Sequence, residues 1–148
     1  MNIRLATRDD LKTIVRLRME MLEELAEDLP EGLAAAIRYY LDLHLRDGTC
    51  MCAVMENKTE VVAKALLCVY EVMPDEGNPS GKCASLFSVY TLPEYRGHGY
   101  MGTLLAYLLD KAKDAGVGVV LASAEERAIP LYERMGFARE NNNMCICL

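Results

Sequence analysis

Leu11, Ile14, Val15, Met19 and Leu22 recur at three- and four-residue intervals, which places them on one face of a helix. Thr7 and Asp10 stand just ahead of it as a capping box, with Asp in place of the usual Glu. A short strand over residues 2–6 precedes them. A second helix is predicted from Pro30, with Leu33, Ile37, Tyr40, Leu41 and His44 on one face and Asp47-Gly48 at its end. The period then changes. Residues 49–55 and 60–72 read as strands joined by the turn Glu56-Asn57-Lys58-Thr59, a hairpin. Residues 73–81, with two Pro and two Gly, read as a loop, and residues 82–91 as a further strand. Short links make these three strands antiparallel neighbours. Beyond them the pattern alternates: a helix over 99–115 with Leu104, Leu105, Leu108, Leu109 and Ala112 inward, a strand over 117–123, and a helix over 126–135 ended by Gly136. Final strands are expected at 137–140 and 144–148, linked by Asn141-Asn142-Asn143.

The order is β-α-α-β-β-β-α-β-α-β-β, a mixed α/β arrangement. A chain of 148 residues suits one domain spanning 1–148 and leaves little room for a second core. With 52% apolar and 26% charged residues the balance is that of a globular protein. The nine Met and absent Trp point to irregular core filling, or to an adaptable pocket. The formal net charge of −6, without any Lys/Arg run, argues against nucleic acid as a partner. The segment Glu20, Glu23, Glu24, Glu27, Asp28 could steer a cationic molecule or could be a solvated helix end, and both readings stand. Six cysteines include the pairs Cys50/Cys52 and Cys145/Cys147, whose spacing puts each pair on one strand face. Metal sites use wider spacings with His partners, so reduced and mostly buried thiols are expected, with no metal. The N-terminus lacks the pattern of a signal peptide, and no apolar run reaches the ~20 residues a membrane span requires. The chain is expected in the cytoplasm, without a membrane partner.

The segment Pro93-Glu94-Tyr95-Arg96-Gly97-His98-Gly99-Tyr100-Met101-Gly102 carries chemistry. Here a strand ends, three glycines fall within six residues, and a helix begins. Glycine allows φ > 0 and close approach of a ligand. Free N–H groups at a helix start attract anions. The arrangement suits a diphosphate, with Arg96 adding charge. The spacing Gly97-x-Gly99-x-x-Gly102 also fits a dinucleotide fingerprint. That motif requires parallel βα units before it, which the first ninety or so residues do not offer.

Residues 96–101, Arg-Gly-His-Gly-Tyr-Met, resemble the Q/R-x-x-G-x-G/A signature of the GNAT acetyltransferases. Residues 130–137, Pro-Leu-Tyr-Glu-Arg-Met-Gly-Phe, resemble that family's L-Y-E-K-L-G-F segment, in the right order and separated by one helix and one strand. The resemblance implies a GNAT fold: a mostly antiparallel mixed sheet of about seven strands flanked by about four helices, with a splayed strand pair opening a slot for CoA. It implies acetyl-CoA as cosubstrate. The diphosphate would lie on Gly97, His98, Gly99, Tyr100, Met101, Gly102 and Thr103, with Arg96 beside it, and the pantetheine arm along Val89, Tyr90 and Thr91. Tyr132 matches the Tyr that protonates the departing thiolate, and direct transfer to a primary amine of a small molecule or peptide follows. Met101 replaces the family's Gly or Ala, Glu125 stands where Asn is frequent, and residues 82–91 contain no carboxylate, with Ser85 and Ser88 among the polar side chains there. The missing carboxylate leaves open a non-catalytic acyl-CoA-binding module as the alternative. Expected partners are acetyl-CoA and an amine, with a homodimer left open.

Overall fold

The computed structural model describes residues 1–140 and 144–147. Five strands form one sheet in chain order: β1 (Asn2–Leu5), β2 (Cys50–Glu56), β3 (Val61–Glu71), β4 (Lys82–Thr91) and β5 (Val119–Ala122). The first four are antiparallel, and β5 joins β4 in parallel. A parallel pair requires a crossover; α3 (Tyr100–Asp114) supplies it. The remaining helices are α1 (Leu11–Leu25), α2 (Leu33–Asp47) and the short α4 (Ile129–Arg134).

Alternation along the strands sorts side chains onto two faces. Ala53, Met55, Ala63, Ala65, Leu67, Ala84 and Leu86 form one face with Leu104, Leu105, Leu108 and Ala112 of α3. The run of alanines lets α3 settle close to the sheet. Truncating a leucine here costs about 2–5 kcal/mol. Cys50, Cys52, Val54, Leu66 and Tyr90 form the opposite face, covered by Leu11, Ile14 and Leu17 of α1 and Leu41 of α2. The pair Cys50/Cys52 therefore shares a buried face, as its spacing requires, and burial holds the Cys52 thiol up near about 12. All six cysteines are free thiols, Cys145 and Cys147 exposed. The first helix is entered as predicted: the Thr7 N–H donates to Asp10 Oδ2 at 2.8 Å. Arg4 binds the same carboxylate and Glu56, which joins β1 and β2 to the start of α1.

Two features of the β3–β4 ladder matter below. Leu66 pairs with Phe87 and Lys64 with Tyr90, so Ser88 and Val89 together oppose Ala65. This is a β-bulge, which bends its strand and re-aims side chains. At its centre Ser88 has φ 55, in the left-handed region that non-glycine residues seldom enter.

The two final strands are a correction to the sequence analysis. Residues 137–140 form no strand, and 144–147 have no regular structure; 141–143 and 148 lie outside the described residues. Phe137 packs inward against Tyr132, but Ala138, Arg139 and Glu140 are exposed. A strand persists where alternate side chains are buried and a neighbour accepts its hydrogen bonds, and 137–140 has neither. The second helix also begins later than Pro30, because Gly32 at φ 79 redirects the chain just before Leu33.

Candidate functional site

Pairing of β4 with β5 ends at Leu86 and Ala122. Beyond that point β4 runs on to Thr91 bonded only to β3, and its other edge faces a cleft of ≈ 1300 Å³. One wall is β4 from Ser85 to Thr91 and the start of α3. The other is β5, the following turn and α4, while Arg18, Met21 and Glu24 of α1 border the mouth.

Val89, Tyr90, Thr91, Arg96, Gly97, Gly99, Tyr100, Met101, Gly102 and Tyr132 all line this cleft. His98 and Thr103 do not. The His98 ring turns back, with Nδ1 2.8 Å from the Arg96 carbonyl oxygen and its face on Tyr100. Thr103 is exposed and its N–H already donates to the Gly99 carbonyl at 3.4 Å.

The turn between β4 and α3 has the conformation its glycines permit. Gly97 and Gly99 sit at φ 78 and 75, and a Cβ on either would meet open space. Glycine is required there by backbone conformation, not by crowding. Gly102 differs: an added Cβ would touch Leu131 Cδ1 at an ordinary 3.6 Å. Met101, the departure from the family signature, packs its side chain against the α3 core and leaves the turn intact. Among the described residues no acceptor is present for the backbone N–H groups of residues 97–102. These converging free amides at the positive end of a 15-residue helix suit an anion.

Arg96 is committed elsewhere than at those amides. Its guanidinium donates to both Glu24 oxygens at 2.8 and 2.9 Å, to the Thr91 carbonyl at 2.9 Å, and lies over the Tyr90 ring. Tyr90 donates its hydroxyl to Glu24 Oε1 at 2.6 Å. Glu24, one of the acids considered for steering a cation, thus ties α1 to β4, and these hydrogen bonds hold its carboxyl below the usual range. Glu20 is paired with Arg16. Glu125 pairs with Arg127 at the surface.

Tyr132 is 7% exposed, its ring tilted against Phe137. No described residue accepts its hydroxyl proton, yet that oxygen is not sealed off from solvent. Burial, then the Glu125 charge, raises its pKa, so the phenol keeps its proton at neutral pH and can donate it.

Sequence reasoning missed Lys64. It is 0% exposed in the middle of β3, and its ammonium group donates to the Ser88 carbonyl at 3.0 Å and contacts Ser88 Oγ. A lone lysine within Val61-Val62-Ala63-Lys64-Ala65-Leu66-Leu67 was the available signal. Lys64 braces the bulge from behind while Ser88 lines the cleft. Burial pulls the Lys64 pKa down to about 7. Cys52 from β2 opposes that shift and Arg18 from α1 adds to it.

An unfolded chain therefore holds this proton over a pH range where the folded one has lost it. Stability should rise as pH increases from about 7, until the buried Cys50 and Cys52 thiols, with raised pKa values, reverse the trend near the ordinary thiol value. Thermal melts at pH 7 and 8.5 should show the gain in the wild type. Lys64→Met should flatten it.

Among the described residues no helix is long and apolar enough to cross a membrane. A free-edged strand, a splayed parallel neighbour and an amide-lined helix start together have the architecture of an acetyltransferase. The sequence model of the acetyltransferase (GNAT) family matches residues 13–137, and the chain belongs to that family. The antiparallel order of β1–β4 sets aside the dinucleotide-binding alternative. No curated protein sequence matches the chain. Solved structures do. A predicted acetyltransferase of Clostridium acetobutylicum, determined with acetyl-CoA, superposes with TM-score 0.90 at 21% identity over 99% of this chain and 95% of its own. A GCN5-related N-acetyltransferase of Ralstonia eutropha superposes at 0.84 with 26% identity over 99% and 97%. An aminoglycoside 6'-N-acetyltransferase of Acinetobacter haemolyticus does so at 0.76 with 16% identity over 100% and 98%.

Proposed function

We propose that residues 1–148 act as one domain that moves the acetyl group of acetyl-CoA directly to a primary amine of a small molecule or peptide. The observation that carries this reading is the convergence, in one cleft, of the free β4 edge, the unpaired amides of residues 97–102 and the Tyr132 hydroxyl. In this reading the diphosphate rests on those amides, and the pantetheine arm pairs with β4 along Val89, Tyr90 and Thr91. The Thr91 carbonyl already accepts from Arg96, so it can share only its second lone pair.

The thioester then lies near the β4 bulge with its carbonyl polarised by a backbone N–H of that strand. A neutral amine attacks the carbonyl carbon, a C–N bond forms and the C–S bond breaks. Tyr132 delivers its proton to the departing sulfur, and the proton the nitrogen sheds on becoming an amide returns through solvent to the Tyr132 oxygen, so the products are the amide and the CoA thiol. Holding both reactants in one cleft removes much of the entropic barrier. Glu24, occupied by Arg96 and Tyr90, supports the cleft wall rather than the acceptor.

Acetyl-CoA should stabilise the native protein, since a ligand bound only by the folded state adds about 2.7 kcal/mol at 100 times its Kd. Thermal melts with saturating acetyl-CoA should shift upward. An unchanged melt together with silent calorimetry would remove the cosubstrate.

A further inference from the structure

Arg18 is a partly buried cation of this cleft with no carboxylate partner among the described residues. It lies on α1 just beyond Leu17, partly buried, and lines the cleft, as do Met21, Phe87 and Ser88. Among the described residues its one side-chain hydrogen-bond partner is Met21, whose Sδ lies 4.0 Å from Nη1. Among the described residues no carboxylate is within ion-pair distance of it, whereas Arg4, Arg8, Arg16, Arg46 and Arg96 each have one. Two other arginines without a carboxylate, Arg38 and Arg134, are exposed, where water serves as partner.

The surroundings deepen the deficit. Burial works against the Arg18 charge, which Cys68 favours, and Lys64 behind the bulge offers it no counter-charge, its amine being turned to the Ser88 carbonyl and hydroxyl. Both oxygens of Glu24 are taken up by Arg96 and Tyr90. With Glu24 engaged, Arg18 leaves this side of the cleft a positive charge without a carboxylate, in a chain of net charge −6. A guanidinium fork is built for bidentate contact with an oxyanion, and a desolvated charge is costly without a partner.

We infer that Arg18 is an anion subsite for the acetyl acceptor: the amine substrate carries a carboxylate or phosphate that pairs with Arg18 while its nitrogen reaches the thioester. This rests on the acetyltransferase reading and replaces, for this chain, the cationic acceptor that the acids of α1 suggested.

The test uses matched amines with the full chain and acetyl-CoA. Alanine is compared with alaninamide, glucosamine 6-phosphate with glucosamine, and spermidine serves as the cationic probe. Thiol release gives kcat/KM per neutral amine, and calorimetric titration into CoA-saturated protein gives affinity without turnover. The anionic member of at least one pair should be favoured about 10- to 100-fold, the scale of a charge-assisted contact; which pair shows it distinguishes carboxylate from phosphate. Arg18→Gln should raise KM for that member by the same factor and leave its neutral counterpart unchanged. Arg18→Lys should restore part of the preference. The acetyl-CoA Kd should be the same in all three proteins.

Neutral amines or spermidine used and bound as well as the anionic ones would overturn the inference alone. So would a preference that survives Arg18→Gln, or a fall in acetyl-CoA affinity in that variant, which would place Arg18 on the cosubstrate. Absence of both thiol release and acetyl-CoA binding would remove the acetyltransferase reading together with it.

Discussion

Tyr132→Phe is expected to lower kcat by about 10²–10⁴-fold, the usual cost of a lost general acid. The acetyl-CoA Kd should hardly move. The substitution keeps the ring that packs on Phe137 and removes a hydroxyl that no described residue engages. Stability should therefore change by no more than about 1 kcal/mol. A slow product-release step would hide the chemistry in steady state, so single-turnover mixing of acetyl-CoA-loaded protein with amine is the sound measurement. A fully active Tyr132→Phe protein would leave the acetyl transfer standing and remove its named acid.

Gly99→Val should abolish measurable acetyl-CoA binding in a protein that still folds. Gly99 stands at φ 75 immediately before α3. A β-branched residue in that conformation is strained by about 1–3 kcal/mol, which is within the reserve of a typical domain. An added Cβ at this position meets no atom within 4 Å, so the strain lies in the backbone and relaxes by turning it. That rotation misaligns the free amides of residues 97–102. Hydrogen bonds to a charged group contribute about 1.5–3 kcal/mol each, so losing two reduces affinity by more than about 100-fold. Calorimetry should show no binding while the melt remains cooperative. Unchanged affinity in a folded Gly99→Val protein would put the diphosphate elsewhere.

The parts of this architecture that depend on local chemistry could be read directly. Leu11 and Ile14, two of the positions that marked α1 in the sequence, are buried because one inward face imposes its period, as is Leu17, and Lys82–Thr91 falls where the loop glycines and prolines stop. The turn at Gly97 and Gly99 was evident because only glycine takes φ near 75 without strain. Features set by tertiary contact were not. Ser88 takes a left-handed conformation without being glycine, because Lys64, distant in sequence, holds its carbonyl and hydroxyl. Arg96 follows the cofactor signature, yet its guanidinium turns to Glu24, 72 residues away. Arg18 on α1 looked like any cation on an amphipathic helix; its isolation shows only once the neighbouring acids have found their partners. The expected strand at 137–140 failed because Phe137 alone turns inward, leaving neither an alternating buried face nor a paired edge.

Acetyl transfer to an amine is tested most directly by mixing the protein with acetyl-CoA and polyamines, aminoglycosides, amino acids, amino sugars and peptide N-termini. CoA thiol release is followed while each acceptor is examined by mass spectrometry. The account predicts that at least one primary amine accelerates thiol release and gains one acetyl group per thiol freed. Tight acetyl-CoA binding with no acetylated amine anywhere in the panel would contradict it and leave an acyl-CoA-binding module in place of an enzyme.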